Sequence, residues 1–146
     1  MTREVPAEVG GPIDEVHLTV GVYGPELNPA EVSEVLGCPP TSAHRRGDSR
    51  GPAVAPWQQG AWLLRLDGKA PSVPEDLVQR LLRLLPKDEA TWRQLRAKYT
   101  VRITFGLFTS AWNRGFELSP ASVAFLAMTG SQVGFDIYAD AGDGDE

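Results

Sequence analysis

The sequence predicts an α+β domain, a sheet with helices against one face. Apolar residues alternate with period two over 16–23, 62–66, 101–107 and 133–137, the pattern of strands with one buried side. Between these runs the spacing shifts to i, i+3, i+4, i+7, the stripe of amphipathic helices. The chain has 146 residues, 42% hydrophobic and 23% charged, which fits one domain with a real core and excludes wholesale disorder, collagen and coiled coil.

Val16, Leu18, Val20 and Val22 share one face of the first strand. Asn28-Pro29-Ala30-Glu31 then reads as a helix start: Asn28 suits the N-cap, Pro29 the first turn, and Glu31 can reach back to the Asn28 amide as a capping box. Val32, Val35 and Leu36 form its stripe, Gly37 its left-handed end, and Cys38-Pro39-Pro40 stops it. Residues 39–60 carry four of the twelve prolines and three glycines without periodicity, a long loop of the kind that carries function or stays disordered. Trp62 to Leu66 is the next strand, closed by the turn dipeptide Asp67-Gly68.

From Pro74 the period is helical. Leu77, Leu81, Leu84 and Leu85 form a stripe, Asp76 and Arg80 an i,i+4 pair, and Pro86 a break. Asp88 caps a second helix that turns Trp92, Leu95 and Tyr99 inward, which makes a helical hairpin over 74–99. Val101, Ile103, Phe105 and Leu107 alternate as a strand, and a short strand at Gly115–Leu118 is expected after a turn near Trp112-Asn113-Arg114. Ser119-Pro120 opens a last helix, with Val123, Leu126 and Ala127 as its stripe and Gly130 as its end, before a final strand bearing Val133, Phe135 and Ile137.

Glu26-Leu27-Asn28-Pro29-Ala30 and Glu117-Leu118-Ser119-Pro120-Ala121 are nearly the same pentapeptide, each followed by a valine and a helix. Capping chemistry alone can produce both, because the same residues favour helix starts. The alternative is two related strand–helix–strand halves, each with a parallel pair. Joined through an antiparallel contact, these give a ferredoxin-like split βαβ sandwich with the helical hairpin as an insertion between the halves. The expected organisation is a flexible N-terminus over 1–12, a single α+β domain over 13–140 and an acidic flexible tail over 141–146.

Charge falls in blocks. Residues 1–43 hold one basic and seven acidic side chains (−6), 44–102 twelve and six (+6), and 103–146 one and six (−5), which sums to the formal −5. A basic centre between acidic ends suits steering of a complementary macromolecule, while the overall acidity opposes a phosphate backbone. No apolar run approaches the length of a bilayer span and residues 1–12 lack the apolar stretch of a secretory signal, so a cytoplasmic location without membrane contact is expected.

Candidate chemistry is sparse. Gly47-Asp48-Ser49-Arg50-Gly51 spells G-x-S-x-G, but that nucleophile elbow needs a strand before it, a helix after it and a downstream histidine, whereas His17 and His44 both lie upstream. His44 beside Arg45 and Arg46 reads as a loop histidine, and His17 as a residue on the non-core face of its strand or under a helix. One cysteine and two histidines give no zinc spacing, the acidic residues after 139 lack a calcium-loop pattern, and Asp136 has no partner carboxylate in view. Neither phosphate-cradle motif occurs. No catalytic residue, metal ligand or cofactor is therefore assigned.

Leu27 to Thr41, then Arg46-Gly47-Asp48, resembles the opening signature of a bacterial family known as domain of unknown function 4279. The tryptophan strand at Trp62, the Pro86-Lys87 step after the leucine helix, and Phe135-Asp136-Ile137-Tyr138 fit as well. The resemblance spans about 15–140 and implies no activity, cofactor or catalytic set. Gly51–Gln59 is longer than is usual for that loop. The expected function is a small non-enzymatic protein that binds another protein, with an immunity or antitoxin-like inhibitor as an idea about context. Its candidate partner-binding residues are His44, Arg45, Arg46, Arg50, Trp57, Arg80 and Arg83. The alternative is a nucleic-acid- or anionic-ligand-binding regulator that uses the basic 44–102 segment. The oligomeric state stays open, since a free sheet edge could pair with a second copy.

Overall fold

A computed structural model describes residues 11–71 and 73–139. Its first strand, β1 (Glu15–Gly24), leads into helix α1 (Pro29–Leu36). The short β2 (Ser42–His44) and the long β3 (Gly60–Lys69) follow, then helices α2 (Pro74–Leu84) and α3 (Glu89–Lys98). The chain continues through β4 (Thr100–Thr109), helix α4 (Pro120–Met128) and β5 (Gln132–Ala139). Among the described residues five strands and four helices make the fold α+β, as the periodicities imply.

Strand order is β2-β3-β1-β4-β5. β1 lies antiparallel to both β3 and β4, β2 antiparallel to β3, and β4 parallel to β5. β1 and β2 therefore run parallel with β3 between them, and β3 and β4 run parallel with β1 between them. The first four strands thus have β-α-β-β-α-α-β connectivity with two split crossovers, the second made by a helix pair.

Period-two alternation puts Val16, Leu18, Val20 and Val22 on one face, all fully buried. In register with them stand Leu66, Leu64 and Trp62 on one side, and Leu107, Phe105, Ile103 and Val101 on the other. Helix α1 contacts β3, α2 contacts β1 and β3, and α3 contacts β4, which makes this face the core layer. Leu77, Val78, Leu81, Trp92, Leu95, Phe125 and Leu126 fill it from the helix side. Both buried indoles are satisfied: Trp62 donates to Ser33 Oγ at 3.0 Å and Trp92 to the Pro86 carbonyl at 2.8 Å. The opposite face stays uncovered and polar, as one side of an antiparallel sheet can.

The helix starts follow the sequence closely. Asn28 accepts from the Ala30 N–H, Asp88 from that of Thr91 and Ser119 from that of Ser122, with Pro29 and Pro120 in the first turns. Gly37 and Gly130 take the left-handed φ of +67° and +69° that end α1 and α4.

Several expectations are corrected. The strands at 15–24 and 60–69 are antiparallel, so the first half contains no adjacent parallel pair, whereas β4–β5 does. The hairpin over 74–99 is the crossover that carries β3 to β4, not an insertion between halves. Residues 115–118 form no strand, because β1 and β5 already occupy both edges of β4; Phe116 and Leu118 pack on the core instead. Asp67-Gly68 does not end β3, since cross-strand pairing with His17 and Val16 carries the strand to Lys69. The Glu31 carboxylate leaves the capping box and accepts from Lys98 Nζ and the Tyr99 hydroxyl, both at 2.6 Å, which ties α1 to the end of α3. Leu84 and Val123 are exposed, while Val78, Ser122 and Phe125 take the buried positions. Residues 1–10 of the proposed flexible N-terminus over 1–12, and the whole proposed tail over 141–146, lie outside the described residues.

Candidate functional site

Three surfaces carry side chains that could do something beyond holding the fold. The first is the 39–60 segment, which is a built loop. After β2 it closes on itself: the Gly47 N–H donates to the Trp57 carbonyl at 2.8 Å, and the Trp57 N–H to the Asp48 carbonyl at 3.1 Å. Asp48 Oδ2 accepts the Arg45 N–H at 2.8 Å. This closure stacks the His44 ring on the Trp57 indole, centroids 3.7 Å apart and 9° from parallel. The Arg50 guanidinium lies 4.2 Å from the same indole.

Of the residues expected to bind a partner, His44, Arg50 and Trp57 therefore form one stack. Arg45 and Arg46 flank a small notch with Pro25, Glu26 and Leu27, where Arg46 pairs with Glu26 at 2.6 Å. Arg80 and Arg83 sit apart from them, exposed on α2. The stack staples the loop, and Trp57 already carries a ring and a cation where a nucleobase would need a free platform. Ser49 Oγ accepts the Gly51 N–H at 3.2 Å inside a turn, so the G-x-S-x-G match has no elbow around it.

The second surface is the uncovered face of the sheet. His17, placed there by alternation, has Nε2 2.9 Å from Glu15 and Nδ1 2.5 Å from Asp67. Arg65 Nε donates to Asp67 at 2.7 Å. That guanidinium, and then the imidazole, hold the Asp67 carboxyl below the usual carboxylate range. Glu15, His17, Arg65 and Asp67 form one polar cluster across β1 and β3, in which Arg65 Nη2 also lies 2.8 Å from His17 Nδ1. Both imidazole nitrogens have polar partners within 2.9 Å, which fixes the orientation of the ring.

The third surface is the β5 margin. β5 pairs with β4 on one side, and among the described residues nothing pairs with its other edge. Its core-side residues Phe135 and Ile137 remain 48% and 66% exposed, and Tyr138 on the opposite face 52%. Aromatic stacking extends to this edge on both faces: Phe135 stacks on Phe105 at 5.2 Å, and Tyr138 on Phe108 at 4.6 Å. A cleft of about 460 Å³ beside this margin is lined by Ile13, Leu107, Phe116 and Ile137, together with Trp112 and Arg114.

Trp112 is 94% exposed. The turn that presents it is anchored at both ends. Asp14 Oδ2 accepts the Ser110 N–H at 2.6 Å, and the Gly115 N–H donates to the Gly11 carbonyl at 3.3 Å. The Ser110 hydrogen bonds, with help from Arg114, hold the Asp14 carboxyl below its ordinary range. Sequence reasoning passed over Trp112, Ile137 and Tyr138. The available signal was a tryptophan in a turn, outside every apolar period.

Other reactive groups are muted. Cys38 is buried, and that burial pushes its thiol up from the ordinary value. Asp136 is exposed on β5. Among the described residues no cluster of His, Cys, Asp and Glu could hold a metal ion, and no helix is long and apolar enough to cross a membrane.

A family model described as Domain of unknown function (DUF4279) matches residues 14–140. No curated protein and no solved structure matches the chain. The family match covers most of the sequence, and the chain belongs to that family.

Proposed function

We infer, from the surface around β5, that this protein works by binding another protein. The observation that carries the reading is Trp112, almost fully exposed on an anchored turn and lining one apolar cleft with the exposed Ile137. Contiguous exposed apolar surface is uncommon on soluble monomers and marks interaction sites, and tryptophan and tyrosine dominate interface energetics. The engagement of both His17 nitrogens and the burial of Cys38 favour a non-enzymatic role. Inhibition of a toxin, as an immunity protein does, is one relation of this kind.

Affinity capture from the native cell tests the reading with three baits: the wild-type chain, a Trp112→Ala/Ile137→Asp variant, and an Arg45→Ala/Arg46→Ala variant. One stoichiometric protein should come down with the first and third and be lost with the second. Loss with the arginine variant alone would transfer the function to the basic 44–102 segment and an anionic ligand. Equal recovery by all three, or turnover of a small molecule by the purified chain, would end the proposal.

A further inference from the structure

Resting on that reading, we propose that the partner docks by adding a strand to the free edge of β5, through an extended segment in which apolar residues alternate with basic ones.

The backbone supplies the first reason. β5 is an eight-residue strand whose outer edge has no pairing among the described residues, so its outward N–H and C=O groups are available to a new strand. Long, flat, apolar edges invite such pairing and are normally blunted by lysine, proline or a bulge. β5 contains none of the three: Gln132 to Ala139 has no Lys or Pro, and it stays in unbroken register with β4 over all eight residues.

Side chains specify the alternation. On the core side an added strand would meet Phe135, Ile137 and the apolar cleft below Trp112, so its residues facing that way must be apolar. On the open face it would meet Asp136 and Tyr138. Charge decides the rest. Asp136 is the one charged side chain of β5 and lies exposed on the open face, so the strand's outward positions across from it should be lysine or arginine.

The same charge argues against a second copy. Antiparallel self-pairing of β5 centred on Asp136 would set two carboxylates opposite each other, and like charges across a strand pair destabilise it.

The test uses the full chain and two capped hexapeptides, Lys-Val-Lys-Ile-Lys-Val and Glu-Val-Glu-Ile-Glu-Val. The lysine peptide should slow hydrogen exchange at alternate amides of 132–139 and bind at least tenfold more tightly than the glutamate peptide. Asp136→Asn should narrow that gap, and Trp112→Ala should weaken the lysine peptide while leaving the melting temperature in place. Equal affinity for the two peptides, no binding of either, or protection elsewhere than β5 would overturn strand addition. So would a concentration-dependent dimer with protected β5 amides, which would assign the edge to a second copy. A captured protein that leaves the β5 amides unprotected would refute the docking mode and leave the protein-binding reading standing. Peptide protection with no cellular partner would do the reverse.

Discussion

Replacing Trp112 by alanine separates binding from folding. The side chain is 94% exposed, so the folded monomer gains little from it, and its removal should change unfolding stability by no more than about 0.5 kcal/mol. In a complex the ring would be covered. A tryptophan buries about 150–250 Å², which at ~25 cal/mol per Å² bounds the loss at about 4–6 kcal/mol. Alanine keeps the β-carbon and partner surfaces relax, so the central expectation is the hot-spot range of about 2–4 kcal/mol, roughly a 30- to 1,000-fold rise in Kd. Urea unfolding of the free variant, beside titration calorimetry against the captured partner, measures both quantities. Destabilisation beyond about 1 kcal/mol would mean that the ring is packed in the monomer. A Kd within threefold of wild type would mean that it lies outside the interface. Either result refutes the reasoning.

Other substitutions test the frame that presents this surface. Trp62→Phe removes the 3.0 Å bond to Ser33 Oγ and opens a void in the core, so it should cost about 2–4 kcal/mol, seen as a lower urea midpoint at unchanged m. A methyl added at Gly60 would sit 2.9 Å from the Leu27 carbonyl, which is backbone and cannot yield, so Gly60→Ala should lower stability by about 1–3 kcal/mol. Gly134→Ala meets nothing within 4 Å and should stay within about 0.5 kcal/mol of wild type in the same assay. Glu31 is held below its ordinary value of 4.5 by Lys98 and then Tyr99. Its contribution should be complete above about pH 4.5 and lost as pH falls through the depressed native value; Glu31→Gln should therefore give a shallower acid limb in a stability–pH series.

Local chemistry determined most of the fold. Period-two runs specified four of the five strands, because a strand with one wet face must alternate. Asn28-Pro29, Asp88 and Ser119-Pro120 specified three helix starts, and Gly37 and Gly130 two helix ends, because those residues satisfy orphan amides or accept positive φ whatever surrounds them. Tertiary structure decided what depends on neighbours distant in the chain. Whether Gly115–Leu118 became a strand turned on which elements already held the edges of β4. Whether Glu31 capped its own helix turned on Lys98 and Tyr99, 67 and 68 residues away. The candidate site divides in the same way: the His44–Trp57–Arg50 stack joins residues whose aromatic and basic character was legible within one loop. The exposure of Ile137 at the end of the helix layer, of Tyr138 on the open face and of Trp112 on a turn follows from how the whole chain assembles around the sheet, and no local period encodes that.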